Sequence, residues 1–138
     1  MPELKQLAAQ LGDALLRRGW KVAVAESCTG GWVAKCLTDI AGSSAWFDRG
    51  FVTYSNAAKQ DLLDVPAATL EADGAVSEAT VAAMVQGALV HSRADVALSI
   101  SGIGFCSRND GMMSGTCSAC SAMACGCGSP ARSAKVSS

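Results

Sequence analysis

A short apolar stretch that ends abruptly in polar residues and two glycines constrains the fold of this chain most strongly. Residues 22–25 have the pattern of a buried strand, and residues 32–37 have that of the first turns of a helix. Between them lies the sequence Glu-Ser-Cys-Thr-Gly-Gly at 26–31. Ligands of open α/β folds bind at the carboxyl ends of the strands, so this junction is the predicted active site. We also expect the first amides of the following helix to hold an anion or a developing oxyanion.

The rest of the pattern alternates helices with strands. Apolar residues at three- and four-residue spacing from Leu4 to Leu15 predict a helix that ends at Arg17-Arg18-Gly19, and further strands are predicted at 51–54 and 95–101. Two more helices are expected, one capped by Asn56 and one capped by Ser77. This order predicts an α/β fold, namely a three-layer α/β/α sandwich with a parallel or mixed sheet.

Length and charge limit the classes of function. The 138 residues are enough for one domain with its own core. Residues 1–103 carry 8 basic and 11 acidic side chains without a basic stripe, which argues against nucleic acid or an anionic membrane as a partner. The start of the chain has no signal-peptide pattern, and no apolar run is long enough to span a membrane. We therefore expect a cytoplasmic protein with reduced thiols that acts on a small molecule, and a homo-oligomer stays open.

Polar residues follow three predicted strands at the points where the strands end. Ser27 follows the first strand, Tyr54 ends the second with Lys59 five residues later, and Ser101 ends the third. In a sheet whose strands run the same way, these ends converge. A lysine in a dry pocket can lose its proton near neutral pH and deprotonate a hydroxyl. The pattern therefore predicts Ser27 as a nucleophile and Lys59 as its base.

Plainer interpretations of the same residues stay open at this stage. Ser27 or Thr29 could simply cap the following helix, and Lys59 could be a solvated lysine on a helix surface. Cys28 could replace Ser27 as the nucleophile, although a small buried thiol is the commoner role. Glu26 could orient the lysine, bind substrate or pair at the surface, and its spacing does not decide between these roles.

Five short motifs resemble those of a known family. They are Ala-Glu-Ser-Cys-Thr-Gly-Gly at 25–31, Ala-Gly-Ser-Ser at 41–44, Gly-Phe-Val-Thr-Tyr-Ser-Asn-x-x-Lys at 50–59, Gly-Ala-Val-Ser at 74–77 and Ser-Ile-Ser-Gly-Ile at 99–103. On these motifs, residues 1–103 resemble the carboxyl-terminal domain of the CinA proteins, a family that includes nicotinamide-nucleotide amidases. The resemblance implies hydrolysis of the carboxamide of nicotinamide mononucleotide to nicotinic acid mononucleotide and ammonia, in pyridine nucleotide recycling. The alternative is a catalytically silent CinA-like binding or regulatory module linked to competence or DNA damage.

The resemblance also implies roles for individual residues. The catalytic residues would be Ser27 as nucleophile, Lys59 as base, and Tyr54, with Thr29 in the same hydrogen-bonded site. The residues expected to bind the nucleotide substrate are Glu26, Thr29, Gly30, Gly31, Ser101 and Gly102. Neither a metal nor another cofactor is implied.

Residues 104–138 depart from the family pattern. They contain no Leu or Ile, and no helical or strand period persists through them, so this segment is predicted to be irregular and the sandwich to be incomplete at its C-terminal end. Such a composition is typical of a coding sequence read out of frame, and we hypothesise a frameshift near Ile103. An incomplete domain would be poorly stable, with impaired activity. Cysteines at 117, 120, 125 and 127 supply thiolates, but their spacing differs from that of structural zinc sites, so no metal site is predicted.

Overall fold

A single mixed sheet forms the centre of the described structure. The structure, a computed structural model, describes residues 2–102 together with the backbone of residues 119–125 and 134–137. The strands are β1 (Val22–Glu26), β2 (Phe47–Val52), β3 (Val96–Gly102), β4 (Ala119–Cys125) and β5 (Ala134–Ser137). They are arranged in the order β2-β1-β3-β4-β5. β1 pairs in parallel with both β2 and β3, whereas β4 and β5 add antiparallel pairs.

Helices cover both faces of this sheet. They are α1 (Pro2–Arg18), α2 (Trp32–Thr38), α3 (Asn56–Leu63), α4 (Ala67–Asp73) and α5 (Glu78–Val90), with a 3₁₀ turn at Ser43–Ala45. Because successive strand residues point to opposite faces, Ala23 and Ala25 of β1 join a core with α3 and α5, while Val22 and Val24 join a second core with α1 and α2. The predicted α/β class, the three layers and the mixed sheet are confirmed.

Two helical glycines allow close approach between elements. A Cβ on Gly12 of α1 would lie 2.7 Å from the indole ring of Trp46, which is buried in the core beneath α1 and α2. A Cβ on Gly87 of α5 would lie 2.0 Å from the carbonyl oxygen of Leu63, at the end of α3. The distance between α3 and α5 is therefore set by the absence of a side chain at position 87.

The second strand begins earlier than the sequence predicts. β2 spans Phe47–Val52 rather than 51–54, so Thr53 and Tyr54 lie beyond its end. Gly50 weakens the sequence signal for a strand. In the structure, however, it accommodates α2, because a Cβ there would lie 3.3 Å from the Cβ of Ala34.

The helix that follows β2 is capped one residue earlier than predicted. The hydroxyl of Ser55, not the side chain of Asn56, accepts a hydrogen bond from the amide of Ala58 at 3.0 Å. The predicted cap at Ser77 is confirmed, since its hydroxyl accepts the amide of Thr80 at 3.1 Å. A further helix, α4, starts directly after Pro66, where the sequence pattern predicts no helix.

Two segments of the tail that the sequence predicts to be irregular form strands in the structure. β4 pairs with β3 along seven residues, from Val96 opposite Cys125 to Gly102 opposite Ala119, so the sheet does not end at β3. The segment lacks the β-branched and aromatic residues that mark a strand in sequence, whereas pairing of its backbone requires none of them. The other residues of 104–138, and the side chains of its clustered cysteines, lie outside the described residues. The frameshift remains a hypothesis about the gene.

No helix among the described residues is long and apolar enough to cross a membrane. The cytoplasmic location and a homo-oligomer stay predictions.

Candidate active site

Ser27 and Lys59 lie in direct contact at the carboxyl end of the sheet. Ser27 is the first residue after β1, and its amide extends the β1–β3 ladder by donating to the carbonyl of Ile100 at 3.0 Å. Lys59 lies in α3 and places its Nζ 3.0 Å from Ser27 Oγ. The two residues are 6% and 1% exposed, respectively. The structure therefore brings the predicted nucleophile and base together, and Lys59 is not a solvated surface lysine.

Two main-chain carbonyls hold the rest of the Lys59 amine. Nζ donates to the carbonyl of Thr53 at 2.9 Å and to that of Tyr54 at 3.2 Å. With two N–H groups directed at these carbonyls, Ser27 Oγ occupies the third direction around the nitrogen. In a neutral amine that direction belongs to the lone pair, which can accept the proton of the serine hydroxyl. The arrangement thus fits a base as well as it fits an ammonium ion.

The environment of Lys59 shifts its protonation equilibrium towards the neutral amine. Burial lowers the pKa of Lys59 below its ordinary value, because removal from water disfavours the charged form. The neighbouring Cys28 acts in the opposite direction, since a thiolate would stabilise the ammonium. The desolvation effect is the larger of the two, so a greater share of Lys59 is available as a base near neutral pH.

Glu26 bonds to the loop that carries the serine and to the helix that follows it. We call residues 27–31 the serine loop. Oε1 of Glu26 accepts the hydroxyl of Thr29 at 2.6 Å and the amide of Val33 at 2.9 Å, while Oε2 accepts the amide of Ala34 at 2.9 Å. The carboxylate of Glu26 therefore caps the N-terminus of α2, because the N-cap residue of this helix, Gly31, makes no side-chain cap bond. The amides of Val33 and Ala34 do hold an anion, but it is the carboxylate of Glu26, so these two amides are not available to a developing oxyanion.

The two glycines of the serine loop shape its turn. Gly30 and Gly31 have φ angles of 61° and 103°, in the left-handed region that favours glycine. The amide of Gly30 donates to the carbonyl of Ser27 at 3.1 Å, and the amide of Trp32 donates to that of Thr29 at 3.0 Å. The contacts of both glycines with substrate stay predictions.

Tyr54 enters the site through its main chain. Its carbonyl accepts from Lys59, and Ser27 Oγ lies 3.5 Å from the same oxygen, which is long for a hydrogen bond. The residue as a whole is 71% exposed. A catalytic role for its phenol group stays a prediction.

Of the two predicted binding residues at the end of β3, Ser101 is buried and its hydroxyl is bonded to the main chain of another segment. Ser101 is 1% exposed and its hydroxyl donates to the carbonyl of Ala75 at 2.7 Å. This bond ties the segment between α4 and α5 to the sheet, next to the serine loop. Gly102 is the last residue of β3. Binding of substrate by Ser101 and Gly102 stays a prediction.

Thr53 is a component of the site that the sequence interpretation did not single out. It is fully buried, its amide donates to the carbonyl of Glu26 at 2.7 Å, and its own carbonyl accepts from Lys59. Thr53 thus links the end of β1 to the lysine. The sequence pattern places Thr53 in a strand, and a contact made through the main chain leaves no signature in the side chain.

His91, the one histidine of the chain, lies away from this site. It follows α5, is exposed, and forms an ion pair with the carboxylate of Asp64 when protonated. Within the described residues, no group of three or more His, Cys, Asp or Glu side chains is arranged to hold a metal ion.

Comparison with known proteins identifies the family. The model of the CinA C-terminal domain matches residues 4–133. The chain belongs to the CinA C-terminal domain family. Two solved CinA-family structures share its fold. The competence/damage inducible protein CihA of Agrobacterium tumefaciens has a TM-score of 0.77 and 39% identity, covering 96% of this chain and 79% of that one. The competence damage-inducible protein A of Klebsiella pneumoniae has a TM-score of 0.78 and 36% identity, covering 97% of this chain and 81% of that one.

Relatives within the CinA family carry different names. The nicotinamide-nucleotide amidohydrolase PncC of Escherichia coli K12 is 63% identical over 101 residues, which are 73% of this chain and 61% of that protein. A CinA-like protein of Syntrophobacter fumaroxidans is 55% identical over 93 residues, which are 67% of this chain and 22% of that protein. The chain thus spans about three fifths of the length of the amidohydrolases that it matches.

Proposed function

We propose that this chain hydrolyses the carboxamide of nicotinamide mononucleotide to nicotinic acid mononucleotide and ammonia, as a step of pyridine nucleotide recycling. The observation that carries the proposal is the 3.0 Å contact between Ser27 Oγ and a buried lysine amine. A serine beside a desolvated lysine is an arrangement that activates a hydroxyl for attack on a carbonyl carbon. The substrate class is supported by the similarity to the E. coli nicotinamide-nucleotide amidohydrolase, at 63% identity over 101 residues.

In the first half of the proposed reaction, Ser27 attacks the carboxamide carbon. The neutral amine of Lys59 takes the hydroxyl proton as the new C–O bond forms, which produces a tetrahedral intermediate and a lysine ammonium. The carbonyls of Thr53 and Tyr54 stabilise this ammonium by accepting hydrogen bonds from two of its N–H groups. Lys59 then donates a proton to the departing nitrogen, the C–N bond breaks, and ammonia leaves an ester of nicotinate on Ser27.

In the second half, water hydrolyses that ester. Lys59, neutral again, takes a proton from the attacking water, and the ester C–O bond breaks with return of the proton to Ser27 Oγ. The products are nicotinic acid mononucleotide and the free serine. Each proton is exchanged between Lys59 and the reacting atoms, so the cycle needs neither a metal nor another cofactor.

Ammonia release from nicotinamide mononucleotide by the full chain tests the proposal. Ser27→Ala and Lys59→Met should each lower kcat by roughly 10⁴-fold or more, because the two groups act as one unit. Lys5→Met, an exposed lysine of α1, is the matched control and should retain the wild-type rate. Dialysis against a chelator should leave the rate unchanged.

Two results would contradict the proposal. Ammonia release that survives in Ser27→Ala would remove the nucleophile from the mechanism. A folded wild-type chain that releases no ammonia would favour the catalytically silent module.

A further inference from the structure

The carboxylate of Glu26 joins three segments of chain on one side of the nucleophile. It is the last residue of β1, directly before Ser27, and is 1% exposed. Its partners are the Thr29 hydroxyl in the serine loop and the amides of Val33 and Ala34 in the first turn of α2. The strand end, the loop and the helix are therefore held at fixed distances by one buried side chain.

From this arrangement we infer that Glu26 is a positioning residue for the nucleophile, and that it does not bind the substrate. The inference rests on the proposed function, since it concerns the same serine. Ser27 is the first residue after Glu26 and precedes the half-buried Cys28. The direction of its Cα–Cβ bond therefore depends on the path that the serine loop takes as it leaves β1. By holding both ends of the loop, Glu26 keeps Ser27 Oγ in line with the lone pair of Lys59.

The backbone of Glu26 supports the same geometry from the side of the lysine. Its carbonyl accepts the amide of Thr53 at 2.7 Å, and the carbonyl of Thr53 accepts from Lys59 at 2.9 Å. Glu26 thus contacts the serine through the loop and the lysine through Thr53. The closed series Glu26, Thr53, Lys59 and Ser27 fixes the nucleophile and the base relative to one residue.

The chemistry of the carboxylate explains why a neutral side chain such as Gln could not replace Glu26 as the acceptor of these hydrogen bonds. Both oxygens receive donors, and each bond to an ionised acceptor is stronger than one between neutral groups. A negative charge at the first turn also interacts favourably with the dipole of α2. In Glu26→Gln one oxygen becomes an NH₂ group, which would face a main-chain N–H and could not accept from it.

Two variants of near-identical shape test the inference, each with a matched control. Glu26→Gln removes one of the acceptor oxygens, and its control is Glu71→Gln, an exposed glutamate of α4. Thr29→Val removes only the hydroxyl bond to Glu26. Its control is Thr38→Val, which removes the bond from another hydroxyl of α2 to the carbonyl of Ala34.

The first measurement is kcat and KM, with active sites counted by a serine-directed phosphonofluoridate. Per labelled site, Glu26→Gln should lower kcat by roughly 10²-fold, the order expected for a misplaced catalytic group, and should leave KM within a few-fold. Thr29→Val should show a smaller fall in the same direction. Loss of folded protein alone would reduce the number of labelled sites but not kcat per site, so that result would overturn the inference. A higher KM with an unchanged kcat would also overturn it, because it would make Glu26 a substrate ligand.

The second measurement does not depend on activity. Amide hydrogen exchange of Gly30 and Trp32, which bond within and beside the serine loop, should accelerate by roughly tenfold in Glu26→Gln and stay at wild-type rates in both controls. Wild-type exchange at these amides in Glu26→Gln would overturn the inference. Absence of ammonia release by the wild type, with accelerated exchange in the variant, would contradict the proposed function and leave the positioning of the loop by Glu26 supported.

Discussion

Replacement of Gly87 by alanine tests whether packing between two helices sets the distance between the catalytic groups. Gly87 is buried in α5 and faces the end of α3, the helix that carries Lys59. The added Cβ would lie 2.0 Å from the carbonyl oxygen and 2.8 Å from the Cα of Leu63. These are backbone atoms, so no side chain can rotate away to relieve the contact.

The magnitude follows from that distance. To reach the 3.4 Å at which ordinary contact begins, the end of α3 must move by about 1.4 Å relative to α5. Overpacking of this kind costs up to about 3 kcal/mol. Alanine returns about 1 kcal/mol through its better helix propensity. We therefore expect Gly87→Ala to lower the free energy of unfolding by up to about 2 kcal/mol.

The same displacement should reach the active site. Leu63 lies four residues after Lys59, one turn along α3, so movement of this turn alters the 3.0 Å contact between Lys59 Nζ and Ser27 Oγ. A misplacement of about 1 Å at a catalytic group can lower kcat by roughly 10²-fold. Equilibrium unfolding in urea, followed by far-UV circular dichroism, measures the stability, and ammonia release from nicotinamide mononucleotide measures kcat.

Ala79→Gly provides the control for helix propensity. Ala79 is exposed in the same helix, and its replacement should cost up to about 1 kcal/mol without a change in kcat. A Gly87→Ala chain that is as stable as the wild type or more stable, with an unchanged kcat, would refute the reasoning about the contact between α3 and α5.

Three further predictions concern the base, the helix caps and the opposite face of the sheet. Since the proposed base is neutral Lys59, kcat/KM should rise with pH through the lowered pKa of this lysine; a decline over that range would contradict the assignment. The folded pKa lies below the unfolded one, so the unfolded chain binds more protons between the two values. The stability of the wild type relative to Lys59→Met should therefore rise with pH across that window and fall as pH decreases through it, as urea unfolding at several pH values would show. Ser55→Ala and Ser77→Ala should each cost about 1 kcal/mol as lost N-caps, but only the former should lower kcat, because α3 carries the lysine; equal effects on kcat would count against this. Gly12→Ala would place a Cβ 2.7 Å from the Trp46 ring and should cost about 1–2 kcal/mol while kcat is unchanged, since α1 packs on the other face; a loss of activity per folded molecule would show that the two faces are coupled.

The sequence predicts much of this fold because its strongest signals are local. The apolar residues of β1, the spacing of α1 and α5 and the cap at Ser77 depend on near neighbours in the chain. β4 could not be found in this way, because it is specified by pairing with β3 rather than by its own composition. The early start of β2 could not be predicted for a similar reason. Gly50 is explained by its close contact with α2, which only the folded structure shows.

The site shows the same division between side-chain and main-chain information. Ser27 and Lys59 could be predicted because each side chain has a chemistry that a strand end can use. Thr53 could not, because its contribution to the lysine is a carbonyl oxygen that every residue possesses. For Glu26, the residue type was informative but its partners were not, since Val33 and Ala34 lie seven and eight residues further along the chain.

The division of work among the polar groups explains how a site of so few residues can remain ordered. Glu26 bonds to the serine loop and α2, and Ser101 bonds to the segment between α4 and α5, so both act on the scaffold. The carbonyls of Thr53 and Tyr54 direct the amine of Lys59. Only the contact between Ser27 and Lys59 joins two groups that the proposed reaction consumes and regenerates. The bonds of Glu26 and Ser101 involve neither reacting group, and the bonds to Thr53 and Tyr54 use two N–H groups that the Lys59 amine keeps in its neutral form. The nucleophile and base can therefore exchange a proton while the bonds that position them stay intact.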